Sequence, residues 1–406
     1  MATTKAIILD GHLKSALAAT RSLGKKGIQV TTLAERGTAM ALHSRYTAHH
    51  FVYPSPLRAP QAFVQAIINI AQNIGDMPVI YAFSDETFLL ISKHRKEIQK
   101  YATLLLSSEE SIETAFNKRK TLALAKKLSI PHTESIQGRT LDSIFRAISY
   151  PAVVKTQSSC VWKDGVGIKG TAEYVFSDGE LSARASALYE TTGQYPLIQT
   201  FVKGDEYGFE MLCCKGEIVA QVAHKRLRSL SPTGGAAVVK KTICNTKIAY
   251  EMESVVQKIA KELSWEGVMM IEFKNDEKDK KLKLMEINGR FWGSLPLAIF
   301  AGVDFPYLFF KQDCKKNDTH GAIDITSAPI IKCQANIISR HFLGDCHNLL
   351  MVLFSTNKMR KILFPKRVVA IFSFFALFTG QKYDVFSLID PKPFFMEIID
   401  IIRKKL

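Results

Sequence analysis

Gly267–Lys274 (GVMMIEFK) and Leu282–Asn288 (LKLMEIN), followed by Gly289-Arg290-Phe291-Trp292-Gly293, decide how this chain is read. Between the two apolar runs lies NDEKDKK, polar throughout, and the pattern predicts a β-hairpin with a loop of about seven residues. Side chains two apart on a strand share a face, so Glu286, Asn288 and, if the strand continues, Arg290 point the same way. Position 279 lies midway between Glu272 and Glu286. A symmetric hairpin therefore sets the two carboxylates opposite each other, within reach of one cation. Two carboxylates and an amide oxygen suit Mg²⁺, and an arginine two residues further on suits a phosphate. The bland alternative is a pair of exposed strand residues. Both glutamates sit in apolar runs, however, where an unpaired carboxylate is costly.

The chain has 406 residues, enough for two or three domains. Hydrophobic residues make up 47% of it, which describes a folded protein. Seven cysteines, without a C-x-x-C pair, indicate neither a disulfide framework nor a zinc site; the expectation is reduced thiols in a cytoplasm. Met1–Asp10 holds too short an apolar run for a signal peptide. Of the net charge of +16, residues 331–406 supply +7, from twelve Lys/Arg against five Asp/Glu. That distribution argues against a nucleic-acid-binding face spread over the core.

Lys5–Leu9, Gly27–Leu33 and Val79–Phe83 read as strands, alternating with helices over Leu13–Lys25, Ala59–Asn73 and Glu86–Gln99. Such alternation predicts a parallel sheet wrapped by helices. Asp10-Gly11-His12 after the first strand is not G-x-G-x-x-G, which argues against a nicotinamide site. Ser84-Asp85-Glu86 lies at the carboxyl end of the third strand, either a ligand edge or first-turn acids favoured by the helix dipole. Further helices are expected over Ser111–Leu128, Leu141–Ser149 and Glu251–Leu263. Strands are expected over Ala152–Lys155, Tyr195–Val202, Tyr207–Cys213 and Glu217–Ala223, with a mobile loop at Lys163–Gly167.

The segment Met285–Pro306 (MEINGRFWGSLPLAIFAGVDFP) resembles the metal-binding segment of the ATP-grasp superfamily, in its carboxylate–amine ligase branch. This fold is shared with the carbamoyl-phosphate synthase large subunit. The resemblance runs from about residue 5 to about residue 312. It implies an α/β ATP-grasp fold with a Rossmann-like pre-ATP-grasp domain over 1–110 and linker helices with a lid subdomain over 111–200. A large subdomain with the metal site then covers 201–330. A basic, helical C-terminal extension over 331–406 falls outside the common core.

Carried onto this sequence, the resemblance makes Glu272, Glu286 and Asn288 ligands of Mg²⁺, with Mn²⁺ as a substitute. Lys118 would sit against the phosphates of ATP, and Lys155 at the α-phosphate and adenine edge. Gly165 and Gly167 fit a loop folding over the triphosphate, and equally an ordinary hairpin turn. The hinge Gln199–Val202, with Phe201, would line the adenine, and Glu206 would accept bonds from the ribose hydroxyls. Thr200 stands where many relatives carry an acid. Arg226 and Arg228, in the run His224–Arg228, would hold a carboxylate or its acyl phosphate, a solvated strand end being the alternative. Gly234-Gly235 would allow backbone close to a substrate. Arg290 would stabilise the transferring phosphoryl group and the oxyanion.

The reading is an enzyme: an Mg-dependent, ATP-using ligase that activates a carboxylate as an acyl phosphate and joins it to an amine. Rival readings are carboxylation or a carbamoyl-phosphate-type step, a non-catalytic nucleotide sensor, and a membrane-interaction module. The partners expected are small-molecule carboxylates and amines and no nucleic acid; homo-oligomerisation stays open. Lys358–Arg367 (KMRKILFPKR) precedes the apolar Val368–Thr379, which is too short to span a bilayer. The tail either lies on a membrane surface through 358–379 or packs on the core.

Overall fold

Strand β1 (Lys5–Ile8) is apolar after its first residue, and Ile7 and Ile8 are fully buried. It sits inside a four-stranded parallel sheet ordered β3-β2-β1-β4, with β2 at Gln29–Ala34, β3 at His49–Val52 and β4 at Val79–Tyr81. Strand β3 was not expected: HHFV is exposed along its whole length and lacks an inward face. Helices α1 (Lys14–Lys25) and α2 (Pro60–Ile74) pack on the sheet as the alternation requires. The computed structural model describes residues 4–136, 148–314, 330–356, 358–376 and 380–403. Most of the helix expected over Leu141–Ser149 lies outside them.

The helix expected over Glu86–Gln99 is two, α3 (Asp85–Lys93) and α4 (Arg95–Ile98), parted at His94. The one expected over Ser111–Leu128 is also two, α5 (Glu109–Phe116) and α6 (Lys118–Lys127). Asn117 breaks it in an extended conformation, and its side chain caps the amides of Arg119 and Lys120. Such a residue competes with the helix for backbone hydrogen bonds. Lys118 consequently opens a helix, and its amide donates to the carbonyl of Gln157.

A small antiparallel sheet follows, ordered β8-β5-β9, from β5 (Ala152–Lys155), β8 (Ala172–Val175) and β9 (Leu197–Thr200). Helix α7 (Asp178–Thr192), capped by Ser177 and ended by a left-handed Gly193, covers it. Strands β6 (Cys160–Lys163) and β7 (Val166–Lys169) form a separate hairpin. Asp164 and Gly165 turn it with φ of 53° and 80°, as two-residue hairpin turns demand.

The main sheet runs β14-β13-β10-β11-β12-β16-β17. Its long strands are β10 (Gly204–Cys214), β11 (Glu217–Ser231), β12 (Gly234–Thr242), β13 (Gly267–Asp276) and β14 (Leu282–Asn288), with α8 (Lys247–Glu262) packed on β10 and β11 and with α9 (Leu295–Phe300) and α10 (Phe305–Cys314) following β14. The basic run after Ala223 was not expected to continue the strand. Charged side chains on one face hid the alternation, yet β11 persists to Ser231. In the opening hairpin, Asn275 pairs with Leu282 and Phe273 with Leu284, which is one residue off symmetry about position 279. A register shift between Glu272 and Phe273, taken up by a bulge at Met285, restores the pairing of Glu272 with Glu286. The glutamates face each other because of that extra residue.

The C-terminal extension is not purely helical. It adds β15 (Ile331–Lys332) beside β11, β16 (Ile338–Arg340) beside β12, and β17 (Lys382–Tyr383) beside β16. Strands of two or three residues leave no periodicity to read. Helices α11 (Phe342–Phe354), α12 (Arg360–Leu363), α13 (Arg367–Ala376) and α14 (Lys392–Arg403) complete it. Buried acids anchor the extension. Asp384 meets Lys14 at 2.9 Å and also Lys240, Asp390 meets Arg21 at 2.8 Å, and Asp345 meets Arg228 at 2.7 Å and Arg340 at 2.6 Å. The packing alternative therefore holds for much of this segment. Cys244 and Cys333 lie side by side, with Cα atoms 6.4 Å apart. The two lie 89 residues apart in sequence, so spacing could not reveal the pair. Among the described residues no helix is long and apolar enough to cross a membrane.

Candidate active site

Strand register builds the site in rows. Across β11, β10 and β13, Arg226, Glu206 and Lys274 are direct partners. Two residues along, and so on the same face, the next row reads His224, Gly208, Glu272 and, on β14, Glu286. The third row holds Glu210, Met270 and Asn288. Gly208 has a steric reason: a Cβ there would come within 2.3 Å of the His224 ring. These rows, apart from the buried Glu210, line one wall of a cavity of about 920 Å³, and the small sheet with the hinge Gln199–Val202 lines the opposite wall.

The charges interlock. Arg226 donates to Glu206 at 2.9 Å and to Glu272 at 3.2 Å, and Lys274 lies 3.1 Å from Glu206. Burial alone would push Glu206 up, but Arg226 and Lys274 hold it below its ordinary value. Glu272 goes the other way. Burial raises it, Arg226 lowers it, and the nearby carboxylates of Glu286 and Glu206 raise it further. Crowded oxygens of one sign are the donor set a hard divalent cation relieves. Asn288 adds an amide: its Nδ2 is 3.4 Å from Glu286, and its Oδ1 accepts from Arg290 at 3.4 Å. Glu272, Glu286 and Asn288 therefore fit Mg²⁺.

Arg290 is held from the start of α3. Its Nε donates to Asp85 at 2.5 Å, and its Nη1 to the carbonyl of Phe291. Burial would lower Arg290, but the Asp85 carboxylate outweighs this and holds it above its ordinary value. Asp85 in turn follows Ser84, the N-cap of α3. Buried Asp10 fixes that turn, accepting from the amides of Phe83 and Ser84 and from the Thr87 hydroxyl. Asp85 is thus both a first-turn acid and a site residue.

Lys155 lines the cavity, and Lys118 stands 3.9 Å from Glu286. Burial and the neighbouring charges of Lys118 and Lys274, only partly offset by Glu286, bring Lys155 down to about 8. An anion between the lysines favours the charged form. Nucleotide binding should therefore be tightest below pH 8 and weaken by about tenfold between pH 7 and 9 as Lys155 loses its proton. Titration of ADP binding by calorimetry checks this; an unchanged affinity across that range would contradict the assignment.

Gln199, Phe201, Val202 and Glu206 all line the cavity. The Gln199 amide donates to Thr133 at 2.8 Å, and Phe201 meets Tyr174 edge-on at 5.6 Å. Gly234 and Gly235, at φ of 135° and 95°, line it too. Three sequence candidates fall elsewhere. The Gly167 amide donates to the Leu57 carbonyl at 2.7 Å, and Gly165 borders a pocket against α2 and α3, so their hairpin docks on the segment around Leu57 and those helices. A close approach to Leu57, with 2.5 Å left to a Cβ, accounts for Gly167. Arg228 is engaged by Asp345 and by Ser373 at 3.1 Å and lines a neighbouring cavity.

Sequence reasoning missed Lys274, although it lies two residues from Glu272 and hence on the same face. It also missed Glu210, buried beside Ser294 (2.5 Å) and His224 (3.3 Å). Burial raises Glu210 to about 8 and, with Arg226 and Lys240, lowers His224 to about 3, so both are uncharged near neutrality. Lys358 and Met359 of the extension also line the cavity, where no sequence signal pointed.

Residues 194–330 match the family described as "ATP-grasp in the biosynthetic pathway with Ter operon". No curated protein matches the chain. Among solved structures, the biotin carboxylase domain of the Hydrogenobacter thermophilus 2-oxoglutarate carboxylase, in complex with MgADP, ADP and bicarbonate, is similar. It has a TM-score of 0.60 at 16% identity, over 82% of this chain and 73% of that one. The N5-carboxyaminoimidazole ribonucleotide synthetase of Thermotoga maritima gives 0.55 at 16% identity, over 82% and 79%. The L-amino acid ligase of Bacillus licheniformis gives 0.57 at 16% identity, over 77% and 74%. The chain has an ATP-grasp fold with a helix-rich C-terminal region.

Proposed function

We propose that the protein is an ATP-dependent ligase that phosphorylates a carboxylate and joins the resulting acyl phosphate to an amine. The observation that carries this is the register pair Glu272–Glu286 with Asn288 and Arg290 beside it, facing Lys155 across one cavity. Bound there, Mg²⁺ would neutralise charge on the phosphates. Lys155 and Lys118 hold phosphate oxygens, and Gln199–Val202 and Glu206 take the adenine and ribose. Arg290, oriented by Asp85, faces the transferring phosphoryl group and the oxyanion that follows. Arg226 holds the carboxylate. Arg228, committed to Asp345, acts as a positioning residue for the extension. Holding the reactants in line is the main catalytic device.

The acyl phosphate forms when a carboxylate oxygen attacks the γ-phosphorus and ADP leaves; the amine then displaces phosphate from the acyl carbon. With ¹⁸O-labelled carboxylate, label should therefore appear in inorganic phosphate, and label in AMP would overturn the mechanism. Two of the similar structures are named for carboxylation chemistry, one of them with bound bicarbonate, which favours a second reading with bicarbonate as the activated carboxylate. Phosphate release that requires bicarbonate and no other carboxylate would select that reading.

A further inference from the structure

Helix α13 (Arg367–Ala376) is apolar on both sides, yet among the described residues only one side is covered. Ala370 and Phe374 are buried, and Phe374 lies beneath the Arg340 guanidinium at 4.3 Å. Ser373, on the same inner side, accepts from Arg228. The outer side carries Val368 (62% exposed), Val369 (54%), Phe372 (72%) and Phe375 (60%). These positions share one helical face. The adjacent α11 adds Leu350 (54%) and Phe354 (75%), one turn apart. Phe372 and Phe354, each more than 70% exposed on adjoining helices, mark an interaction surface.

The charge around this face says what covers it. Lys361, Lys366 and Arg367 are exposed at or just before its start. Between Asp345 and Asp384 the chain has six Lys/Arg and no Asp or Glu. A second copy docked by a two-fold axis would bring this basic rim against itself, and protein interfaces are depleted of lysine. An anionic bilayer surface accepts both features: acyl chains take the aromatic face, and headgroups take the lysines and arginine. Ten residues of helix reach about 15 Å, half the hydrocarbon thickness, so the helix lies in the surface plane and does not cross.

We infer that the α13–α11 face is a membrane-docking surface that seats the folded protein on anionic phospholipid. The inference is independent of the reaction proposed above. Full-length protein mixed with phosphatidylcholine–phosphatidylserine vesicles at low salt should float with them, and should float several-fold less with phosphatidylcholine alone or at high salt. The double variant Val368→Asp, Phe372→Asp alters exposed side chains. It should keep the wild-type thermal transition and nucleotide affinity while losing at least about tenfold in vesicle affinity. Full-length protein that stays unbound on anionic vesicles at low salt overturns the inference, as does a double variant that floats like wild type. Concentration-dependent self-association abolished by the same variant, without vesicle binding, also overturns it and gives the face to a second copy.

Discussion

Glu286→Ala should leave the protein folded while its ATP turnover, with both substrates and saturating Mg²⁺, falls by about 10³-fold or more. The side chain is 36% exposed and, among the described residues, its polar contacts are Lys118 at 3.9 Å and Asn288 at 3.4 Å, so its loss opens no cavity in the core. What disappears is one of two opposed carboxylates. Metal stabilisation of a transferring phosphoryl group is worth several kcal/mol, at about 1.4 kcal/mol per decade of rate. Glu272 alone would remain, compensated by Arg226. Phosphate release and a thermal melt on the same sample make the measurement. Wild-type turnover by the variant would show that the paired glutamates do not hold the metal.

The second large effect is on stability. Asp384→Asn should destabilise the fold by about 3–5 kcal/mol, because it strands buried ammonium groups without their counter-charge. Lys14 reaches Asp384 from the first domain and Lys240 from the main sheet, while Ser339 donates to its other oxygen at 2.7 Å. Burial alone would raise Asp384, but Lys14 and Lys240 outweigh it and hold the carboxyl well below its ordinary 3.8. Burial with Lys14 nearby brings Lys240 down to about 7. A depressed carboxyl contributes stability that is complete above 3.8 and is lost as pH falls towards its folded value, so the wild type should weaken on acidification below pH 4. Urea unfolding at pH 7 reads the main effect. Replacing Asp384 by Leu and Lys240 by Met together should recover part of the loss; a single variant as stable as wild type would refute the account.

Alternation and spacing placed the paired glutamates and the parallel first sheet, because each rests on a local pattern of period two or on a helix–strand alternation, whereas the cavity-lining hinge Gln199–Val202 was reached through the family resemblance. The hairpin was read correctly for an incomplete reason, since its symmetry is off by one residue and Met285 makes up the difference. What stayed hidden is what depends on distant partners. Asp85 reads as a helix-start acid until Arg290 arrives 205 residues later. Arg228 reads as a substrate ligand until Asp345 of the extension claims it. Gly165 and Gly167 carry the composition of a phosphate loop, yet one serves a hairpin turn and the other a contact with Leu57. Charge, burial and strand face are written locally; the counter-charge is not.

The meeting of three parts of the chain at Asp384 has a consequence for biogenesis. Domains tend to fold as they leave the ribosome, the N-terminal ones first. Lys14 and Lys240 are made long before the acid that neutralises them, and β16 has no β17 beside it until residues 382–383 emerge. The nascent first sheet and main sheet must therefore wait, with Lys240 hydrated and the sheet edge open, until residues 382–384 have emerged. Closure of this molecule waits on synthesis of the extension, and the interval before it is when a chaperone would find most to hold.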